Sequence, residues 1–377
     1  MAEQALRSTP LEEVHQSLGA TFTDFAGWNM PVRYGSDLAE HAAVRERAGL
    51  FDLSHMGEIH LRGPEAPNAL DHALAGRFSA MSVGRAKYSL LLTEDGGIAD
   101  DVITYRLAED HFLVVANASN AEADVAELTA RAAGFDVVVD DASAGTALIA
   151  VQGPASAKIL LRALTEGEHG VAGVGAEELE ALKNYRVLQG SYRDRDLLIA
   201  RTGYTGEDGF ELYLPAERAA ELWQQLTEAG GQDLTPCGLA CRDTLRLEAG
   251  MPLYGHEIDR DLHPAQSGLG RVVALKSKQD FVGRAAFEGA DTSQLPVLVG
   301  LVADGRRAAR AGSEVRTADG EAIGSISSGA LSPTLGHPIA MAFVRPDLTA
   351  AGTELMADVR GKDLPVRVVD LPFYSRS

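Results

Sequence analysis

Four segments of the sequence carry side chains whose types and spacing could do chemistry. Asp101 follows a glycine hairpin in GGIADDVITY. A carboxylate there ordinarily caps the turn or faces water, whereas burial would raise its basicity and make it a proton-handling group. Glu211 lies in GFELYLP, where alternation puts Phe210, Leu212 and Leu214 on one face of a strand and Glu211 with Tyr213 on the other. A solvated face is the ordinary expectation. A carboxylate fixed on a rigid strand can also accept two parallel N–H bonds from a planar amino-heterocycle, as it does from a guanidinium group, and a pterin has that shape.

RTGYTGEDGF has glycines at 203, 206 and 209 but is no nucleotide loop. No Lys-Ser or Lys-Thr follows it, and a strand comes next where a dinucleotide fingerprint would open a helix. A tight turn displaying Tyr204 is expected. Arg242, in CRDTLRLEAG, would ordinarily share a charged helix face with Asp243 and Arg246, held by ion pairs worth roughly a few tenths of a kcal/mol. His55 and His263 are isolated, with no HExxH or Ser/His/Asp pattern around them. The only cysteines, Cys237 and Cys241, fall on one helix face at i, i+4 and read as buried thiols, since zinc needs more ligands than this pair offers. No metal site is expected.

The elements that must position these residues alternate between helix and strand. LEEVHQSLG and DLAEHAAVRERAG read as helices, with Gly49 suited to the end of the second. MGEIHLRG, KYSLLLTEDGGIADDVITYRL and HFLVVANA read as strands, with Asp95-Gly96-Gly97 supplying hairpin chemistry. NAEADVAELTARAAG, PASAKILLRAL, ERAAELWQQLTEAG and GLACRDTLRLEAGM have helical spacing. From about Pro296 the helices give way to short strands. The reading is α+β, with an N-terminal region over residues 1–290 and a separate C-terminal β-domain over 296–377, joined at FEGADTSQLP.

Length and composition bound the function. With 377 residues the chain exceeds one ordinary hydrophobic core. No apolar run approaches the roughly 20 residues of a membrane span, and Met1 to Ser8 lack the apolar run of a signal peptide, so a cytoplasmic protein is expected. The 34 Lys and Arg against 54 Asp and Glu give a formal charge of −20. That balance opposes nucleic acid and anionic membrane as partners.

Seven segments in order, DFAGWNMPVRY, GLFDLSHMGEI, KYSLLLTEDGGIADDVITY, RTGYTGEDGFELY, RDTLRLEAGMPLYGHEID, RRAARAGSEV and GSISSGALSPTLGHPIAMAFV, resemble the T-protein (aminomethyltransferase) family of the glycine cleavage system. They cover nearly the whole chain. The resemblance implies a three-domain, cloverleaf-like fold in which two interleaved α+β parts, together residues 1–290, form the folate-binding catalytic region, followed by a barrel- or jelly-roll-like β-domain. It implies transfer of the one-carbon unit of an aminomethyl-lipoyl H-protein to tetrahydrofolate, with release of ammonia and dihydrolipoyl protein and formation of 5,10-methylenetetrahydrofolate. By the same matching, Asp101 is the catalytic carboxylate beside its structural neighbour Asp100. Glu211 and Arg242 hold the pterin, and Met56, Tyr88, Asn117 and Tyr204 line the folate channel.

With an acidic carrier and a chain of charge −20, docking calls for a local basic patch, and Arg306, Arg307 and Arg310 are the candidates. The sequence departs from the family pattern at Gln266 and Arg271, where an acidic residue and Trp are usual. It departs again at Ser375, which takes the place of a basic residue, with Arg376 next to it. Two alternatives stay open: a tetrahydrofolate-dependent demethylase of the same fold, and a non-catalytic folate-binding protein. The latter class displays a cysteine in a Lys-Gly-Cys motif where this chain reads KSKQDFVGRAA.

Overall fold

Two neighbouring strands, Thr146–Gln152 and Gly209–Pro215, are buried along nearly their whole length. Strands covered on both faces belong at the centre of a layered core. The computed structural model describes residues 5–165 and 170–376. The chain forms two compact units, each assembled from three separated stretches.

The first unit comprises Met1–Leu70, Phe78–Lys87 and Val102–Arg242. Its seven-stranded sheet runs in the order Val171–Ala172, Val187–Tyr192, Arg195–Ala200, Gly209–Pro215, Thr146–Gln152, Ala48–Asp52, Leu234–Pro236. All neighbours are antiparallel except the last pair. Ile149, Val151, Phe210, Leu212 and Leu214 pack with Leu160, Leu222, Trp223 and Leu226 from the helices Ser156–Thr165 and Ala219–Gly230. Each such aliphatic side chain contributes about 1.5–3 kcal/mol when fully buried. A second sheet of five strands has the order Ala86–Leu92, Ile98–Ala108, His111–Ala116, Gly57–Arg62, Val138–Asp141. Its first two strands are where the chain passes from one unit to the other.

The second unit comprises Asp71–Arg77, Tyr88–Asp101 and Asp243–Ser377. Its C-terminal part is a closed barrel with strands Val297–Val302, Pro338–Val344, Ala322–Leu331, Glu314–Arg316, Glu354–Asp358 and Asp363–Val369 in that order around the ring. Closure leaves no open sheet edge, and Val299, Leu301, Val315, Ile326, Leu355 and Val366 fill the interior. The expected α+β class and C-terminal β-domain are thus both present.

Two local expectations change, and one segment left without an assignment gains one. Gly49 does not end the helix Asp37–Glu46; it lies inside the strand Ala48–Asp52. A Cβ there would come within 2.5 Å of Val44 Cγ2 and 2.8 Å of Cys237 Sγ, so close packing demands the glycine. FTDFAGWNMPVRY folds as a two-stranded ribbon of Thr21–Phe25 against Trp28–Arg33. Arg246 keeps the expected local ion pair with Asp243 but is a core residue, 1% exposed, rather than part of a charged surface face. Among the described residues no helix is long and apolar enough to cross a membrane.

Candidate active site

Glu211 owes its position to the register of its strand, paired with Ala150 on one side and Ala200 on the other. Two flanking strands and the packed helices bury it to 9% exposure, which replaces the solvated face expected from alternation. Its Oε2 receives hydrogen bonds from the Thr202 hydroxyl and, at 3.3 Å, from the Tyr105 hydroxyl. The Tyr105 hydroxyl also lies 3.1 Å from that of Tyr213. Burial foremost, with the charge of Glu211 adding to it, pushes the Tyr105 phenol well above its ordinary range, so it stays a donor. Glu211 Oε1 receives no hydrogen bond among the described residues.

The glycine-rich turn is built on Gln152. A Cβ at Gly203 or Gly209 would come within 2.0 and 2.4 Å of that side chain. Its amide donates to the Thr202 carbonyl at 3.1 Å and accepts from the Thr205 hydroxyl at 3.0 Å. The turn therefore presents Tyr204 from a fixed base, as its composition suggested. The half-buried Arg242 guanidinium lies 4.9 Å from the centroid of the Tyr204 ring, within cation–π range. Burial lowers the Arg242 pKa and the charge of Glu211 opposes that shift. The guanidinium makes no hydrogen bond among the described residues.

Register places Met56 and Asn117 at the same end of one ladder. Gly57 pairs with Ala116, so the residue before one strand and the residue after the other flank the same end of the ladder. The loop carrying Met56 is anchored at Asp52, which accepts from the Thr9 hydroxyl at 2.6 Å and the Ser54 amide at 2.9 Å and lies 2.9 Å from His15 Nε2. Next to Met56, His55 is buried against Phe25, and its Nδ1 has no partner among the described residues. Burial depresses its pKa to about 4, Asp52 opposing and Arg242 reinforcing the shift.

Tyr88 and Asp101 belong to the second unit. The hairpin between them turns at Gly96, whose φ of +84° suits glycine, with Thr93 N donating to Gly97 O at 2.9 Å. It sets the Tyr88 hydroxyl 2.9 Å from Asp101 Oδ2, to which it donates. Asp100, on the opposite face of the strand, is fully buried, while Asp101 is half-buried.

Sequence reasoning missed Thr202, Tyr105 and Gln152. For Tyr105 a signal existed, since period-two alternation from Asp101 reaches it through Ile103. His263 stacks on Phe287, with 4.6 Å between ring centroids. Gln266, one of the departures from the family pattern, donates to the Pro296 carbonyl at 3.1 Å and accepts from the His263 amide at 3.0 Å. Arg271, Ser375 and Arg376 are exposed. Arg306, Arg307 and Arg310 are exposed on one loop, where Arg307 and Arg310 donate to the carbonyls of Asp363 and Gly329. Both cysteines are buried thiols, and among the described residues no cluster of three or more His, Cys, Asp or Glu could hold a metal ion.

Residues 11–277 match the family model of the GCVT N-terminal domain, and residues 297–375 match that of the glycine cleavage T-protein C-terminal barrel domain. The chain belongs to the glycine cleavage T-protein family. An aminomethyltransferase of Cutibacterium acnes is 63% identical over 372 residues, covering 99% of each chain. One from Streptomyces coelicolor is 55% identical across all of both chains. The crystal structure of glycine cleavage system aminomethyltransferase T from Bartonella henselae superposes with a TM-score of 0.89 at 38% identity, covering 98% of each chain. In this T-protein family member, the polar groups described above and the C-terminal barrel therefore occur within a fold shared from end to end.

Proposed function

We propose that the chain is an aminomethyltransferase that takes the one-carbon unit from the aminomethyl-lipoyl arm of an H-protein and passes it to tetrahydrofolate. Ammonia, dihydrolipoyl protein and 5,10-methylenetetrahydrofolate are the products. The supporting observation is the joint presence of Glu211 and Arg242: a carboxylate with one oxygen held by hydroxyls and the other without a donor among the described residues, interacting by charge with a guanidinium that makes no hydrogen bond among them. A pterin edge has N–H donors and acceptors side by side, and such a group suits both. In this reading Met56, Asn117, Tyr204 and Tyr88 shape the folate channel, and the exposed Arg306, Arg307 and Arg310 receive the acidic carrier. The reading keeps the folate-binding region at residues 1–290, the β-domain at 296–377, and the cytoplasmic location expected from the sequence.

Folate contributes the nitrogens that accept the carbon; the protein contributes orientation and charge. Glu211 and Arg242 fix the heterocycle in its plane, and holding reactants in register supplies a large share of such an acceleration. Asp101, with its Oδ2 held by Tyr88, has two uses: it stabilises the aminomethyl ammonium and accepts the proton lost as the new carbon–nitrogen bond forms.

The decisive assay incubates the protein with aminomethyl-loaded lipoyl carrier, with and without tetrahydrofolate, and follows ammonia and methylenetetrahydrofolate. Asp101→Asn keeps the side-chain shape while removing charge and basicity. We expect turnover to fall about 100-fold to 10,000-fold, with folate affinity and thermal midpoint little changed. A normal rate removes Asp101 from the chemistry. Lost folate binding makes it a ligand holder, and lost stability makes it a turn cap.

A further inference from the structure

Outside the residues assigned to the transfer reaction, the first unit holds a cleft of about 310 Å³ lined by Glu58, His60, His111, Gln189, Asp196 and Tyr213 among leucine side chains. Its chemistry follows from the strand Gly57–Arg62, on which period-two alternation sends Glu58, His60 and Arg62 to one face. Side-chain exposure rises from none at Glu58 to 46% at Arg62, so the cleft closes at the glutamate and opens at the arginine.

Glu58 is the anomaly. Both of its oxygens are buried, and neither has a hydrogen-bond partner among the described residues. Buried carboxyl groups are ordinarily satisfied, and leaving one without a donor is costly. The remaining wall is rich in acceptors. Gln189 donates an amide N–H to the Leu107 carbonyl at 2.7 Å, and its amide oxygen is a further acceptor. His60 Nδ1 and His111 Nε2 lie 2.8 Å apart, so in the neutral pair one remaining ring nitrogen is an acceptor and the other an N–H donor. Arg62, the one cation on this wall, is engaged by Asp140 at 2.9 Å.

We propose that this cleft binds a small molecule carrying a primary ammonium group on a short apolar chain, with Glu58 as its counter-ion and Leu198 among the groups covering the alkyl part. The inference goes beyond the transfer reaction and does not depend on it. Burial, with Asp141 adding to it, pushes the Glu58 carboxyl well above the usual range, and burial foremost holds His60 down at about 4. The ammonium donates its N–H groups to the Glu58 carboxylate, the Gln189 amide oxygen and the free acceptor nitrogen of the histidine pair. On binding, the Glu58 O–H bond breaks, the carboxylate pairs with the ammonium, and the proton leaves to solvent.

The test is titration calorimetry of the full chain with n-butylammonium chloride near neutral pH, in two buffers of different ionisation enthalpy. We expect saturable binding whose apparent enthalpy changes between buffers, as proton release requires. Glu58→Gln should weaken it by roughly ten-fold or more, and n-butanol should bind more weakly still. Absence of saturable binding, an unchanged affinity in Glu58→Gln, or equal binding of n-butanol each overturns the proposal. Should Glu58→Gln fail to fold, Leu198→Phe decides, because it fills the cleft from the half-exposed Leu198 position. Full retention of binding in that variant overturns the proposal, and its loss supports it.

Discussion

Arg242 and Arg246 stand one turn apart on the helix Leu239–Glu248 and lead opposite lives. Arg246 is almost wholly buried, and its guanidinium is fully employed: Nε donates to Asp243 at 2.9 Å, Nη1 to Glu257 at 3.0 Å and the Met251 carbonyl at 3.2 Å, and Nη2 to Ser328 at 2.8 Å. Its surroundings are finished. Glu248 on the same helix is likewise taken, by the hydroxyls of Ser332 and Thr334 and the Thr334 amide. Arg242 instead lies against Tyr204, with no hydrogen bond among the described residues. A saturated buried ion is architecture, because nothing further can bind to it. An unsaturated one keeps capacity for a ligand, and charge of the same sign on the same helix serves two ends.

The comparison is broken most forcefully on the saturated side. Arg246→Ala leaves Glu257 buried without its cation, and removing one partner of a buried pair costs about 3–5 kcal/mol. Urea unfolding should show a loss of that size, with folate affinity per folded molecule little altered. A cost below about 1 kcal/mol would place Arg246 with surface pairs and end the contrast.

The unsaturated side is sharpened by pH. His55 has a folded pKa of about 4 against an ordinary 6.5, so the unfolded chain binds the extra proton between those values. Its contribution is therefore fully present above about pH 6.5 and is lost as pH falls toward 4, on the order of 3 kcal/mol at most. Denaturant midpoints measured across that range should fall with acidity in the parent. In His55→Gln that part of the slope should flatten; an unchanged slope assigns the acid limb to other groups.

The smallest effect is on ligand affinity. Glu211→Ala removes the proposed pterin acceptor, and a buried acceptor of this kind is worth about 1–3 kcal/mol. Calorimetry with tetrahydrofolate should show weakening in that range, and unchanged affinity would move the pterin elsewhere. The same substitution strips the Thr202 and Tyr105 hydroxyls of their shared acceptor, so some stability should go with it.

Local patterning determined much of this protein. Helical spacing located Ala121–Ala132, Ser156–Thr165 and Ala219–Gly230, and turn glycines located the hairpin that carries Asp101. The loss of helices after Pro296 marked the β-domain. The identities of the seven family-like segments carried the function, because side-chain types in order reflect the chemistry they must perform. What period and composition could not reach was the environment of each polar group. Alternation placed Glu211 on a face of its strand, but whether that face meets water depends on sheets and helices packed from distant stretches of chain. Arg242 and Arg246 look alike in one helix because helix periodicity does not know which partners lie across a gap of more than 80 residues, as Ser328 does from Arg246. Gly49 has the credentials of a helix terminus, and only the approach of Val44 and Cys237 shows why it must lack a side chain. Burial and long-range pairing are properties of the assembled core, so tertiary structure alone decided which charges became scaffold and which kept capacity for a ligand.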